Sequence, residues 1–149
     1  MAKYDDASWH YGGDYPKNLP DENAAIHIGM FLTWCIDNEL LSEELKEDCS
    51  EDIQNIKNRK MTGGEFLIKN CDEKFIDDDL CEFGNEFAGD YYVHDAKFAK
   101  KYSSYGNDFC EIFSEYETAY HVEDTWENYE KIKNVIDQRF EEWKKYKKK

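Results

Sequence analysis

The sequence predicts an all-α single domain, a bundle of six to eight helices around a buried central helix at about 24–37. An extended aromatic N-terminal segment and a long C-terminal helix complete it. Three observations predict this fold. Ala24 to Ile36 is the longest apolar run in an otherwise polar chain. Apolar residues recur at three- and four-residue steps from Trp126 to Trp143, the period of an amphipathic helix. Both prolines fall within the first twenty residues, leaving the rest free of the strongest helix breaker. The 149 residues read as one domain, 1–149, long enough for a real core. Eleven Tyr, nine Phe and four Trp argue against disorder.

Tyr4 to Pro16 reads Y-D-D-A-S-W-H-Y-G-G-D-Y-P, and Gly12-Gly13 with Asp14 and Pro16 is turn chemistry. So aromatic a segment is expected to lie extended across the fold, with Trp9 and Tyr11 anchored near the central helix. In that helix one stripe takes Ala24, Ile28, Phe31, Leu32 and Cys35, and a second takes Ile26, Met30 and Trp34. The two stripes wrap most of its circumference, so it is buried on nearly every side. It is too short to span a bilayer. Asp21 is the expected N-cap. Gly29 costs about 1 kcal/mol against alanine, which implies close approach of another segment, the N-terminal one being a candidate.

Ser42-Glu43-Glu44-Leu45 offers an N-cap followed by acids in the first turn, and Ser50-Glu51-Asp52-Ile53 repeats it. Short helices over 43–48 and 51–58 follow from these. Thr62 and Glu65 form a capping box ahead of Phe66 and Leu67. Asp77-Asp78-Asp79 is expected to start a helix burying Leu80, Phe83, Phe87 and Tyr91, with Asp78, Glu82 and Glu86 as a ladder on another face. Such carboxylates repel unless something cationic lies over them, or form an ordinary solvated face. Val93 to Gly106 is read as a helix ending near Tyr105. Phe109 to Val122 favours helix, with a strand open around 119–122. Asp124-Thr125-Trp126-Glu127 is read as a second capping box, followed by a helix of about five turns. Lys144 to Lys149 suits its C-terminal dipole.

Five cysteines without a C-x-x-C point to free thiols in a reducing compartment, hence the cytoplasm, and no signal peptide opens the chain. The net charge is −15, and 37–95 alone holds eighteen acidic against six basic residues. Nucleic acid and anionic membrane are therefore poor partners, and a basic protein surface is a good one. The same charge also keeps a cytoplasmic protein soluble. No phosphate-binding, nucleophile-elbow or zinc-protease motif is present. No metal, cofactor or catalytic residue is assigned. Among the four histidines, His10 and His27 meet if the N-terminal segment crosses the central helix, with a carboxylate such as Asp5 or Asp6 orienting one of them. That arrangement serves general acid–base work or a buried polar network equally well.

Y-D-D-A-S-W-H-Y-G-G-D-Y-P at Tyr4–Pro16, H-I-G-M-F…W at His27–Trp34 and V-E-D-T-W-E-N-Y at Val122–Tyr129 resemble a family of small, acidic, uncharacterised bacterial proteins. The resemblance extends in type to the small acidic proteins found beside secreted polymorphic toxins, which implies an immunity role. The leading expectation is a cytoplasmic immunity protein that neutralises a cognate toxin through Glu43, Glu44, Glu47, Asp78, Glu82 and Glu86. The alternative is a small enzyme or ligand-binding domain using Asp5, Asp6, His10 and His27. A third is a DNA mimic with phosphate-like spacing of carboxylates.

Overall fold

A computed structural model describes residues 3–13 and 15–148. Met1, Ala2, Asp14 and Lys149 lie outside the described residues, so Asp14's part in the expected turn and Lys149's part in the basic terminus are not described. Helix α2 (Ile26–Asp37) is the central rod, and every residue from Ile28 to Ile36 is buried. A 3-10 turn over Asp21–Ala25 leads into it. Pro20 occupies the N-cap position there with no side-chain bond, so Asp21 is not the cap expected of it.

Around α2 lie α3 (Glu43–Asp48), α4 (Ser50–Lys57), α5 (Gly63–Asn70), α6 (Glu82–Tyr91), α8 (Tyr105–Ile112) and α9 (Trp126–Lys147). Two single-turn helices, α1 (Ala7–Tyr11) and α7 (Lys97–Lys101), complete the helical set. The all-α, single-domain architecture with its long C-terminal helix is thus as the sequence predicts. Ser42, Thr62 with Glu65, and Thr125 all cap their helices through side-chain oxygens. Ser50 does not act as a cap but lies within α4. The box expected at 124–127 is a single cap from Thr125 to the Asn128 N–H, and Asp124 points toward Gly64 instead.

Gly29 does mark a close approach, but of α5, not of the N-terminal segment. A Cβ on Gly29 would lie 2.1 Å from the Gly64 nitrogen, and one on Gly63 only 1.9 Å from the Gly29 carbonyl oxygen. The glycines on both helices let the two backbones touch. Helix α9 is tied to α2 by Trp34 Nε1 donating to Asp137 (2.8 Å) and Tyr129 Oη donating to Asp37 (2.7 Å). Arg59 pairs with the same Asp37 at 3.1 Å and stacks 4.3 Å from the Trp126 ring.

Three further expectations change. The helix expected from Asp77 is instead a 3-10 turn (Asp77–Asp79), an extended Leu80, and then α6 capped by the Cys81 sulfur. Asp78 is therefore on a different element from Glu82 and Glu86, which breaks the ladder, and Phe83 is 45% exposed. The expected 93–106 helix splits into α7 and α8, with Ser104 capping the second. The helix favoured across 109–122 stops at Ile112, and the stretch left open at 119–122 holds a 3-10 turn over Ala119–His121. Finally, β1 (Lys3–Asp6) pairs antiparallel with β2 (Lys74–Ile76), in register Asp5↔Phe75 and Asp6↔Lys74. This small ribbon carries the N-terminal segment to the mouth of α2.

Candidate functional site

The β1–β2 pairing delivers Asp5, and α1 returns His10 over it. His27 lies in the first turn of α2. Asp5 is 7% exposed, and its carboxylate is the hub of the cluster. His10 Nε2 lies 2.7 Å from Asp5 Oδ1, and His27 Nε2 lies 3.2 Å from Oδ2. Tyr92 Oη donates to Oδ2 at 2.5 Å, and the Asp6 backbone N–H donates to Oδ1 at 2.8 Å. Burial opposes ionisation of Asp5, but the bonds from His10, His27 and Tyr92 outweigh it and hold the carboxyl well below the usual carboxylate range. Burial and the neighbouring Asp5 charge push the Tyr92 hydroxyl far up, so it remains a donor.

The two imidazoles meet edge to face, with centroids 4.6 Å apart. His10 Nδ1 is 2.7 Å from Tyr120 Oη, and Tyr120 is held in turn by Asn23 donating to its carbonyl. Burial and the Asp5 charge raise the Tyr120 hydroxyl as well. The His27 carbonyl accepts from Tyr105 Oη. His27 Nδ1 is buried and has no hydrogen-bond partner. A buried nitrogen left this way costs about 1–3 kcal/mol.

The cluster is not sealed. It lies against a cleft of about 360 Å³ whose walls are Tyr4, Trp9, Tyr92, His94, Ser104 and Tyr105. His10 keeps 24% of its side chain exposed and His27 11%. Trp9, expected to anchor near the central helix, shares the cleft with His27 of that helix but is 55% exposed at its rim, while Tyr11 bonds Glu73 at 2.9 Å.

Of the four residues named for this site, the fold brings together Asp5, His10 and His27. Asp6 alternates to the other side of β1, where it accepts from Ser8 to cap α1 and pairs with Lys3 at 3.0 Å. Tyr92 and Tyr120 are part of the cluster and had no signal in the sequence, being two of eleven tyrosines without a distinguishing pattern.

The six acidic residues named for a partner surface are all exposed. An isolated bridge between Leu41 and Leu80 sets the start of α3 beside the 3-10 turn preceding α6, with Ser42 N–H donating to the Asp79 carbonyl at 3.0 Å. Glu43, Glu44, Asp78 and Glu82 therefore start from adjoining backbone. Glu43 is paired with Lys46 at 3.0 Å. Glu47 lies at the far end of α3, and Glu86 borders a groove lined by Phe83, Lys144, Lys145, Lys147 and Lys148. All five cysteines are free thiols, and no helix among the described residues is long and apolar enough to cross a membrane.

A family model described as a domain of unknown function, DUF7832, matches residues 3–122. That span contains Asp5, His10, His27, Tyr92 and Tyr120 and stops short of α9. No curated protein and no solved structure matches the chain. The match covers well over half of the sequence, and the chain belongs to the DUF7832 family.

Proposed function

We propose that the chain is a small enzyme or ligand-binding domain whose working centre is Asp5, His10 and His27. The observation that carries this reading is one ionised, buried carboxylate shared by two imidazoles at the wall of an open cleft. A network serving stability alone tends to close its hydrogen bonds, whereas His27 Nδ1 has none. The cleft suits a small polar molecule with a planar or apolar portion, which would lie against Trp9 and the tyrosine walls. Asp5 orients His10, whose Nδ1 in turn meets the Tyr120 hydroxyl, the arrangement of a carboxylate-positioned imidazole suited to general acid–base work.

A thermal-shift screen of polar metabolites against wild type and His10→Gln tests this. A ligand at one hundred times its dissociation constant stabilises by about 2.7 kcal/mol, and the effect should vanish in the variant. Ligands that stabilise both proteins equally, or none that stabilises either, would count against the reading.

A second reading is favoured by the joining of the α3 and α6 termini at the Leu41–Leu80 bridge. We propose on that basis an immunity protein acting in the cytoplasm, where its free thiols stay reduced, with Glu43, Glu44, Asp78 and Glu82 facing a basic toxin domain. Charge reversal at Asp78, Glu82 and Glu86 should slow association with a toxin encoded beside the gene and flatten its salt dependence. A pull-down that recovers no such partner argues against it.

A further inference from the structure

We propose that Asp5, His10 and His27 are the protein ligands of a divalent transition-metal site of the zinc class, open toward the cleft. The inference rests on the reading of this cluster as the working centre and departs from the sequence expectation of no metal.

The geometry is that of converging donors. One ligand atom from each of the three side chains lies within 4.8 Å of the other two. Donors about 2.0–2.1 Å from a tetrahedral ion stand roughly 3.3 Å apart, and the Asp5 oxygens here lie 2.7 Å from His10 Nε2 and 3.2 Å from His27 Nε2. Two imidazoles and one carboxylate are a recurrent ligand set for catalytic zinc and for other first-row ions, with one or more positions left for water or substrate. The cleft over His10 supplies that open side.

The surroundings fit as well. A ligating imidazole commonly uses its second nitrogen to bond an outer partner, and His10 Nδ1 has Tyr120 Oη at 2.7 Å. The carboxylate ligand is itself bonded by Tyr92. Binding needs no redox step and no proton from Asp5, which is already ionised. A neutral imidazole whose hydrogen is on Nε2 moves it to Nδ1, freeing the Nε2 lone pair; at His10, Tyr120 Oη then changes from donor to acceptor, and at His27 the hydrogen goes to the unpartnered Nδ1. The ion's two positive charges meet one buried negative charge, within a chain whose net charge of −15 favours cations overall.

That general attraction is also the competitor, since exposed carboxylates bind divalent ions weakly and in numbers. Calorimetric titration of the chelator-treated full chain with Zn²⁺, and of a second sample with Co²⁺ followed by visible absorption, separates the two. The expected result is one tight ion per chain, with Co²⁺ giving the intense bands of a low-coordinate site. His10→Ala, whose side chain is partly exposed, should lose the tight phase while keeping its circular dichroism. Tyr120→Phe should weaken it about 10–100-fold. A wild type that binds no tight ion overturns the proposal, as does a tight phase retained in His10→Ala. If Zn²⁺ does not bind while a small ligand still requires His10, the metal site falls and the reading of the cleft stands. Tight Zn²⁺ binding without any small ligand supports the metal site alone.

Discussion

Replacing Gly29 by alanine sets two known effects against each other. In an isolated helix the change gains about 1 kcal/mol. In this fold the new Cβ would lie 2.1 Å from the Gly64 nitrogen and 2.4 Å from the Gly63 carbonyl carbon, whereas ordinary contact begins at 3.4 Å. The helices must separate by about 1.3 Å, because both obstacles are backbone and neither can rotate away. Overpacking of this kind costs about 1–3 kcal/mol. Loosening α5 also disturbs Phe66 and Leu67, both fully buried, where lost contacts cost about 2–5 kcal/mol when complete. The net expectation is a loss of about 3 kcal/mol, or roughly 6–12 °C in melting temperature for a chain of this size. Gly89→Ala is the internal control: a Cβ there meets nothing within 4 Å, so the same chemical change should stabilise by about 0.5–1 kcal/mol. Paired melts followed by circular dichroism read both. A Gly29→Ala protein as stable as wild type would refute the α2–α5 crossing.

Arg139→Met should cost about 3–5 kcal/mol in urea titrations, because it strips the 2.9 Å partner from Asp108, which is 3% exposed. Adding Asp108→Leu should recover most of the loss, and a double variant no better than the single one would contradict this account. Asp79 is pushed up to about 6, chiefly by burial, with the Ile76 N–H opposing and Asp78 and Asp77 adding to it. Its folded value exceeds the unfolded one, so its contribution is fully present below about pH 4 and is lost as pH rises through 6. Asp79→Asn should therefore stabilise by about 1–2 kcal/mol at pH 8 and not at pH 4, and an equal gain at both would be decisive against it. Asp5 runs the other way: its folded value is lowered, so its stabilisation holds above about pH 4 and disappears in acid. Tyr92→Phe should cost about 1–3 kcal/mol near neutrality and move the acid-unfolding midpoint to higher pH; an unmoved midpoint would exclude Tyr92 as a support of Asp5.

Much of the helical body was legible because its signals are local. A run with no polar face can only be buried, hence α2. Ser42, Thr62 and Thr125 cap helices because a hydroxyl needs to reach an N–H only three residues ahead. The same local logic misled where a competing local option existed. Asp77-Asp78-Asp79 reads as a helix start, yet Leu80 is drawn into a bridge with Leu41, so α6 begins only at Glu82 and the acidic ladder is split. Phe83 keeps helical spacing with Phe87 and Tyr91 but sits at the groove beside the C-terminal lysines.

The site was legible only in part. Composition and spacing named Asp5, His10 and His27 as able to meet, given a chain path that they could not themselves enforce. What enforces it is a four-residue strand, K-Y-D-D, paired with the three residues K-F-I, both too short and too polar to announce themselves. That pairing decides which of two adjacent aspartates faces the histidines, since neighbouring strand residues point to opposite sides.

By itself, then, the sequence determined a mostly helical domain with a buried rod, its principal caps and a long amphipathic C-terminal helix, because periodicity and capping act over three or four residues. Only the tertiary structure decided that α5 crosses Gly29 and that Asp5 gathers partners 5, 22 and 87 positions away, with Tyr120 joining His10 from 110 positions away. Contacts at those separations depend on how packed elements exclude one another, and no stretch of the chain carries that information alone.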